Sequence, residues 1–142
     1  MPHILVEYSA NIEDDIGLDA LFAKLTDVAV ETGVFELKGI RVRGIRRDRY
    51  RISDNHPDNA FVHTVLRVGH GREVDRLKAA GDGIYAVICD HLQAMYESRP
   101  LNISMEFQEI HPVLTFKKNN IQDHMSRRDA PDTPVRPSQA AE

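Results

Sequence analysis

The sequence predicts an α+β fold: two consecutive β-α-β units forming one four-stranded sheet with two helices on one face. Three observations predict it. Short β-rich segments alternate with long amphipathic ones in the order β-α-β, then β-α-β, between Pro2 and Ile110. The turn cluster Asp54-Asn55-His56-Pro57-Asp58 divides the two halves. Hydrophobic residues make up 42% of the 142-residue chain against 28% charged, enough for one real core.

Each element follows in order. Residues 2–8, PHILVEY, are short and β-rich, and Asn11 or Asp14-Asp15 offers a helix start. Leu18, Leu21, Phe22, Leu25, Val28 and Ala29 have helical spacing with one buried face, and Gly33 supplies a C-cap. After Gly39 comes IRVRGIRRDRYRIS, whose β-branched residues alternate with Arg as a strand would. Ala60–Val68 is the next strand, broken by Gly69-His70-Gly71. Val74, Leu77, Ile84, Ile88, Leu92 and Met95 mark one second helix, ending before Arg99-Pro100. Gly81 and Gly83 inside it signal close packing or a kink, since each costs about 1 kcal/mol relative to Ala. Ile103–Ile110 alternates again and closes the second unit.

With both helices on one face, Ile40, Val42, Val62, Leu66, Met105 and Phe107 look too apolar to leave the other face wet. An oligomer that buries it is expected. The domain is expected over residues 1–123, with 124–142 a Pro-rich, flexible tail in which Pro131, Pro134 and Pro137 recur.

Charge and composition exclude some roles. Eighteen Lys and Arg oppose 22 Asp and Glu, a net charge of -4, whereas a chain that coats nucleic acid leans basic. The single cysteine, Cys89, cannot form an intrachain disulfide and reads as a core or boundary thiol. No leader and no membrane-length apolar run is apparent, so a cytoplasmic domain is expected. The seven histidines form no HxxxH or HxH pair, and no metal is expected. No GxSxG, P-loop or dinucleotide fingerprint appears either.

Three residue groups carry possible chemistry. Pro2 follows the initiator Met, which is generally removed ahead of a small residue. Its secondary amine would then be a general base if apolar surroundings and a nearby cation lowered its pKa. Arg41, Arg43, Arg47, Arg49 and Arg51 share one strand parity, with Arg46 on the other. They read either as a ribbon for phosphate backbones or as one pocket Arg followed by a charged strand edge. The second reading is favoured, because Asp48 interrupts the ribbon and only Tyr50 accompanies it. Arg72 follows Gly69-His70-Gly71 at a helix start, where its fork suits a carboxylate.

Taken together, MPHILVEYSANI, Gly39-Ile40-Arg41, AFVHTVLRVGHGR ending at Arg72, Glu97-Ser98-Arg99 and SMEFQEIHPVLTFKKNN resemble the 5-carboxymethyl-2-hydroxymuconate isomerase family of the tautomerase superfamily. The resemblance covers roughly residues 2–121, in order and at compatible spacing. It implies a homotrimer of β-α-β-β-α-β subunits, with Pro2 as catalytic base and Arg41 and Arg72 on substrate carboxylates. It also implies a cofactor-free reaction: a dienol bearing three carboxylates, from homoprotocatechuate breakdown, is ketonised by moving a proton from its 2-hydroxyl to C5. Two alternatives stand beside it. One is a tautomerase of a smaller 2-oxo acid such as phenylpyruvate; the other is a non-enzymatic module binding nucleic acid or another anion through the Arg-rich strand.

Overall fold

The computed structural model describes residues 2–128. Its sheet has four strands, β1 (His3–Ser9), β2 (Arg41–Arg47), β3 (Ala60–Val68) and β4 (Leu101–Glu109), in the order β2-β1-β3-β4. β1 and β2 are parallel, as are β3 and β4, and the antiparallel β1–β3 pair joins the two units at the centre. The crossovers carry helices α1 (Leu18–Glu31) and α2 (Val74–His91). The α+β architecture expected from the alternation is therefore the observed one. Among the described residues no helix is long and apolar enough to cross a membrane.

Alternation in the central strands decides where the core sits. Ile4, Val6 and Tyr8 of β1 and Val62, Leu66 and Val68 of β3 are buried on one face. Leu21, Leu25 and Ala29 of α1 and Leu77, Ile84 and Ile88 of α2 pack on that same face. Both helices thus cover it, as their 3.6-residue spacing requires.

Several local expectations need correction. Asn11 starts no helix: its amide Nδ2 donates to the carbonyls of Pro57 and Asn59, at 3.1 and 2.7 Å, tethering the turn between β2 and β3. Residues 10–12 form a 3-10 turn, and α1 begins only after Gly17, whose φ of 63° marks the break. Gly33 does close α1 as expected, at φ 75° just past the cap residue Thr32. The second helix is two: α2 ends at His91, Leu92 breaks it with φ -96° and ψ 6°, and α3 (Gln93–Ser98) follows. β2 stops at Arg47, so Arg49 and Arg51 lie in the following loop and share no strand face with Arg41.

The glycines of α2 resolve into two cases. A Cβ on Gly81 would lie 2.7 Å from Phe107 Cε2, so Gly81 is where β4 presses on the helix. A Cβ on Gly83 would meet nothing within 4 Å. Ala at the two positions should therefore act with opposite sign. Gly83→Ala gains about 1 kcal/mol from helix propensity, and Gly81→Ala loses about 1 kcal/mol by overpacking. Urea denaturation of the two variants checks this, and equal shifts would refute the packing explanation.

The apolar residues expected on a second face lie on the first. Val42 pairs with Ile4, Ile103 with Val62, Met105 with Thr64 and Phe107 with Leu66, so these apolar residues belong to the helix-covered face. The open face carries Leu5, Ile45, Phe61 and Val65 among His3, Glu7, Arg41, Arg43, His63, Arg67, Ser104 and Glu106. On it, His63 bonds Ser104 Oγ at 2.6 Å and Glu106 Oε2 at 2.7 Å, and that bond holds the Glu106 carboxyl below its usual pKa. This face is mixed, and hydrophobic area alone does not demand a partner.

Past β4 an arm runs over residues 110–120, with Val113, Leu114 and Phe116 exposed. Helix α4 (Ile121–Arg128) follows and spans the expected boundary at Asp123. Pro131, Pro134 and Pro137 lie outside the described residues.

Candidate active site

Register brings three separate sequence segments to one end of the sheet. His3, the first residue of β1, pairs with Arg41 at the start of β2 and with Arg67 near the end of β3. Pro2 therefore stands where β2 begins and where β3 gives way to Gly69–Arg72. Pro2 is buried, and its carbonyl accepts the Arg41 backbone N–H at 3.1 Å. Parallel pairing of β1 with β2 fixes this contact, because one register step beyond His3–Arg41 is Pro2.

Electrostatics at this end are cationic. The His3 imidazole is held below its ordinary pKa, first by burial and then by Arg43, Arg41 and Arg67. Arg43 also approaches His3 Nδ1 at 3.1 Å, consistent with a neutral ring accepting there. Any basic nitrogen beside these guanidiniums meets the same penalty for taking up a proton.

The two candidate arginines are held differently. Arg41 is half-buried, and its NH1 group donates to the Gly39 carbonyl at 2.9 Å. One of its five N–H donors is thus engaged, and the rest of the fork remains available. Arg72 is packed with its guanidinium carbon 5.2 Å from the Phe35 ring centroid. It also donates to Gly69 O at 3.3 Å and to Val34 O at 3.5 Å. Neither arginine is paired with a carboxylate among the described residues, so both can receive one from a ligand.

Arg72 lines a cleft of about 510 Å³, together with Val34, Lys38, Gly39, Lys117 and Asn119. That volume suits a small molecule. Gly39 links the cleft to Arg41 through the hydrogen bond above. Pro2 and Arg41 do not themselves line it; they flank it through Gly39 and the start of β2. Lys38, Lys117 and Asn119 join the site without any signal in the sequence that marks them. Lys117 and Asn119 lie in FKKNN, which stands out in the sequence only through the family likeness. Nothing local indicates that this segment returns to the start of β2.

The remaining arginines of the ribbon are largely committed elsewhere. Arg47 pairs with Glu7 at 2.6 Å, and Arg46 with Asp48 at 2.9 Å and Glu13 at 4.0 Å. β2 is an edge strand, so these pairs dress an otherwise open edge. Arg99 clamps the Asp58 carbonyl through Nε at 3.2 Å and NH2 at 2.7 Å, fixing the turn before β3.

Comparison with known proteins agrees with this layout. The family model for 5-carboxymethyl-2-hydroxymuconate isomerase matches residues 2–125. The 5-carboxymethyl-2-hydroxymuconate Delta-isomerase of Escherichia coli is 41% identical over 121 residues, which cover 85% of this chain and 96% of that protein. The crystal structure of a 5-carboxymethyl-2-hydroxymuconate isomerase from Deinococcus radiodurans R1 superposes with a TM-score of 0.81 at 36% identity, covering 87% of this chain and 93% of that one. The W0 fused 4-OT symmetric trimer shares the fold at a TM-score of 0.60 and 17% identity, covering 82% of this chain and 93% of its own. The chain belongs to the 5-carboxymethyl-2-hydroxymuconate isomerase family, and its activity is that of an isomerase.

Proposed function

We propose that the protein ketonises 5-carboxymethyl-2-hydroxymuconate, with Pro2 as the base once Met1 has been removed. The observation that carries this reading is the convergence of Pro2, Arg41 and the Gly69–Arg72 segment at one cationic end of the sheet. Burial and neighbouring guanidiniums both favour the neutral amine, the form that accepts a proton. The amine takes the proton of the 2-hydroxyl and returns it at C5, a net transfer that uses no cofactor. Arg41 and Arg72 hold carboxylates, and Arg41, next to Pro2 in the fold, also stabilises negative charge as it spreads through the dienol.

The family likeness and the two unpaired arginines favour a polycarboxylate over a small 2-oxo acid. Steady-state kinetics on the tricarboxylate dienol and on the enol of phenylpyruvate test this choice. A kcat/KM at least a hundredfold higher for the tricarboxylate is expected, and a preference for phenylpyruvate would reverse the assignment. The nucleic-acid alternative loses support because Arg43, Arg46 and Arg47 already have partners within the chain. Duplex DNA titrated across a salt series should show no strong, steeply salt-dependent binding.

Arg72 anchors rather than reacts, being fixed on Phe35 at the cleft. Arg72→Ala should raise KM roughly tenfold to a hundredfold, the loss of one charge-assisted contact, with little change in kcat. A fall in kcat at constant KM would move Arg72 to the reacting centre. The working unit is a homotrimer, as in the fused 4-OT relative, and a cytoplasmic one. The mixed open face and the exposed Val113, Leu114 and Phe116 of the arm are the surfaces it would bury. Sedimentation equilibrium should return three times the chain mass, and a stable monomer at micromolar concentration would contradict it.

A further inference from the structure

The cleft holds more positive charge than Arg72 alone explains. Lys38 and Lys117 line it with Arg72, against one acid, Glu36. Lys38 is committed to that acid, at 3.2 Å. Arg72 is held by Gly69, Val34 and Phe35 and stays unpaired. Lys117 is exposed and has no hydrogen-bond or ion-pair partner among the described residues. Asn119, also in the lining, caps α4, its Oδ1 accepting the Ile121 N–H at 2.9 Å. The arm therefore delivers an uncommitted ammonium to a cleft whose other lysine is already neutralised.

We propose that Lys117 is a specificity residue that holds the third carboxylate of the substrate in the cleft lined by Arg72. The inference rests on the tricarboxylate reading above, in which Arg41 and Arg72 account for two carboxylates and leave one unmatched. A lysine suits that place: its compact charge on a flexible stem can follow a carboxymethyl branch without the fixed geometry of a fork. The branch hangs on C5, but a methylene insulates its carboxylate from the conjugated system, so its charge is constant through the step and binding it helps ground state and transition state alike. A smaller 2-oxo acid has no group to offer it. Lys117 is thus a device for choosing substrate rather than for accelerating the step.

Lys117→Gln and Lys117→Arg, compared with the unsubstituted protein, test this. Lys117→Gln should raise KM for the tricarboxylate dienol about fivefold to tenfold with kcat within twofold, and Lys117→Arg should recover most of the loss. The deficit should shrink as salt screens the exposed pair. As a competing ligand, 2-hydroxymuconate, which lacks the carboxymethyl branch, should inhibit the unsubstituted and Lys117→Gln proteins equally. An unchanged KM in Lys117→Gln, or an equal weakening of 2-hydroxymuconate, would overturn the role of Lys117 while leaving the proposed function intact. Failure of the unsubstituted protein to turn over the tricarboxylate would instead overturn the proposed function itself.

Discussion

A form of the protein that keeps any residue ahead of Pro2 is expected to lose at least a hundredfold in kcat/KM. The loss follows from bonding rather than from fit. A retained Met or a tag makes the Pro2 nitrogen a tertiary amide, which has no basic lone pair, and removing a positioned general base costs about 10²–10⁴ in rate. Pro2 is also buried, at the start of the central strand β1. Mass spectrometry of the same samples establishes which form is present. Pro2→Ala is a milder change, because a primary amine remains, and some rate should survive. A fully active tagged form would eliminate Pro2 as the base.

Replacing Arg41 should produce the other large effect, and it should appear in kcat. Arg41→Ala removes a fork expected to meet charge that grows in the transition state, a loss of about 1.5–3 kcal/mol or roughly tenfold to a hundredfold and more. The pH dependence gives a second signature. Arg41 is one of the cations that lower the His3 pKa, and its backbone N–H bonds the Pro2 carbonyl. Without it the amine should hold its proton more tightly, so its pKa rises. The neutral base is then lost at higher pH, and the acidic limb of kcat/KM should move up. Arg41→Lys keeps the charge but not the fork, so it should restore the pH profile better than the rate. Unchanged kcat and an unchanged profile in Arg41→Ala would remove this residue from the site.

The strands and both main helices are legible in the sequence because they rest on periodicity. Ile4, Val6 and Tyr8 alternate, while Leu21, Leu25 and Ala29 recur at helical spacing, and each pattern has one geometric solution. What sequence alone misreads depends on distant contacts. Asn11 looks like a helix cap until the 57–59 turn arrives to take its amide hydrogens. Val42, Met105 and Phe107 look like a second hydrophobic face until register assigns them to the first. A face is a property of strand pairing, and one strand's alternation does not say which side is covered.

The site divides in the same way. Pro2, Arg41 and Arg72 stand out by type and position, and the sheet brings their segments to one end. Lys117 does not stand out, because its place in the cleft depends on how the arm after β4 folds back. Gly81 is intermediate: its cost to the helix is visible in sequence, and Phe107 as its cause is visible only in the fold.

The most direct measurement is the decay of dienol absorbance of 5-carboxymethyl-2-hydroxymuconate with untagged protein whose intact mass shows Met1 absent. Loss of the dienol signal is expected at a rate proportional to protein concentration, far above the buffer rate, without added metal or cofactor. Decay no faster than in buffer at micromolar protein would contradict it.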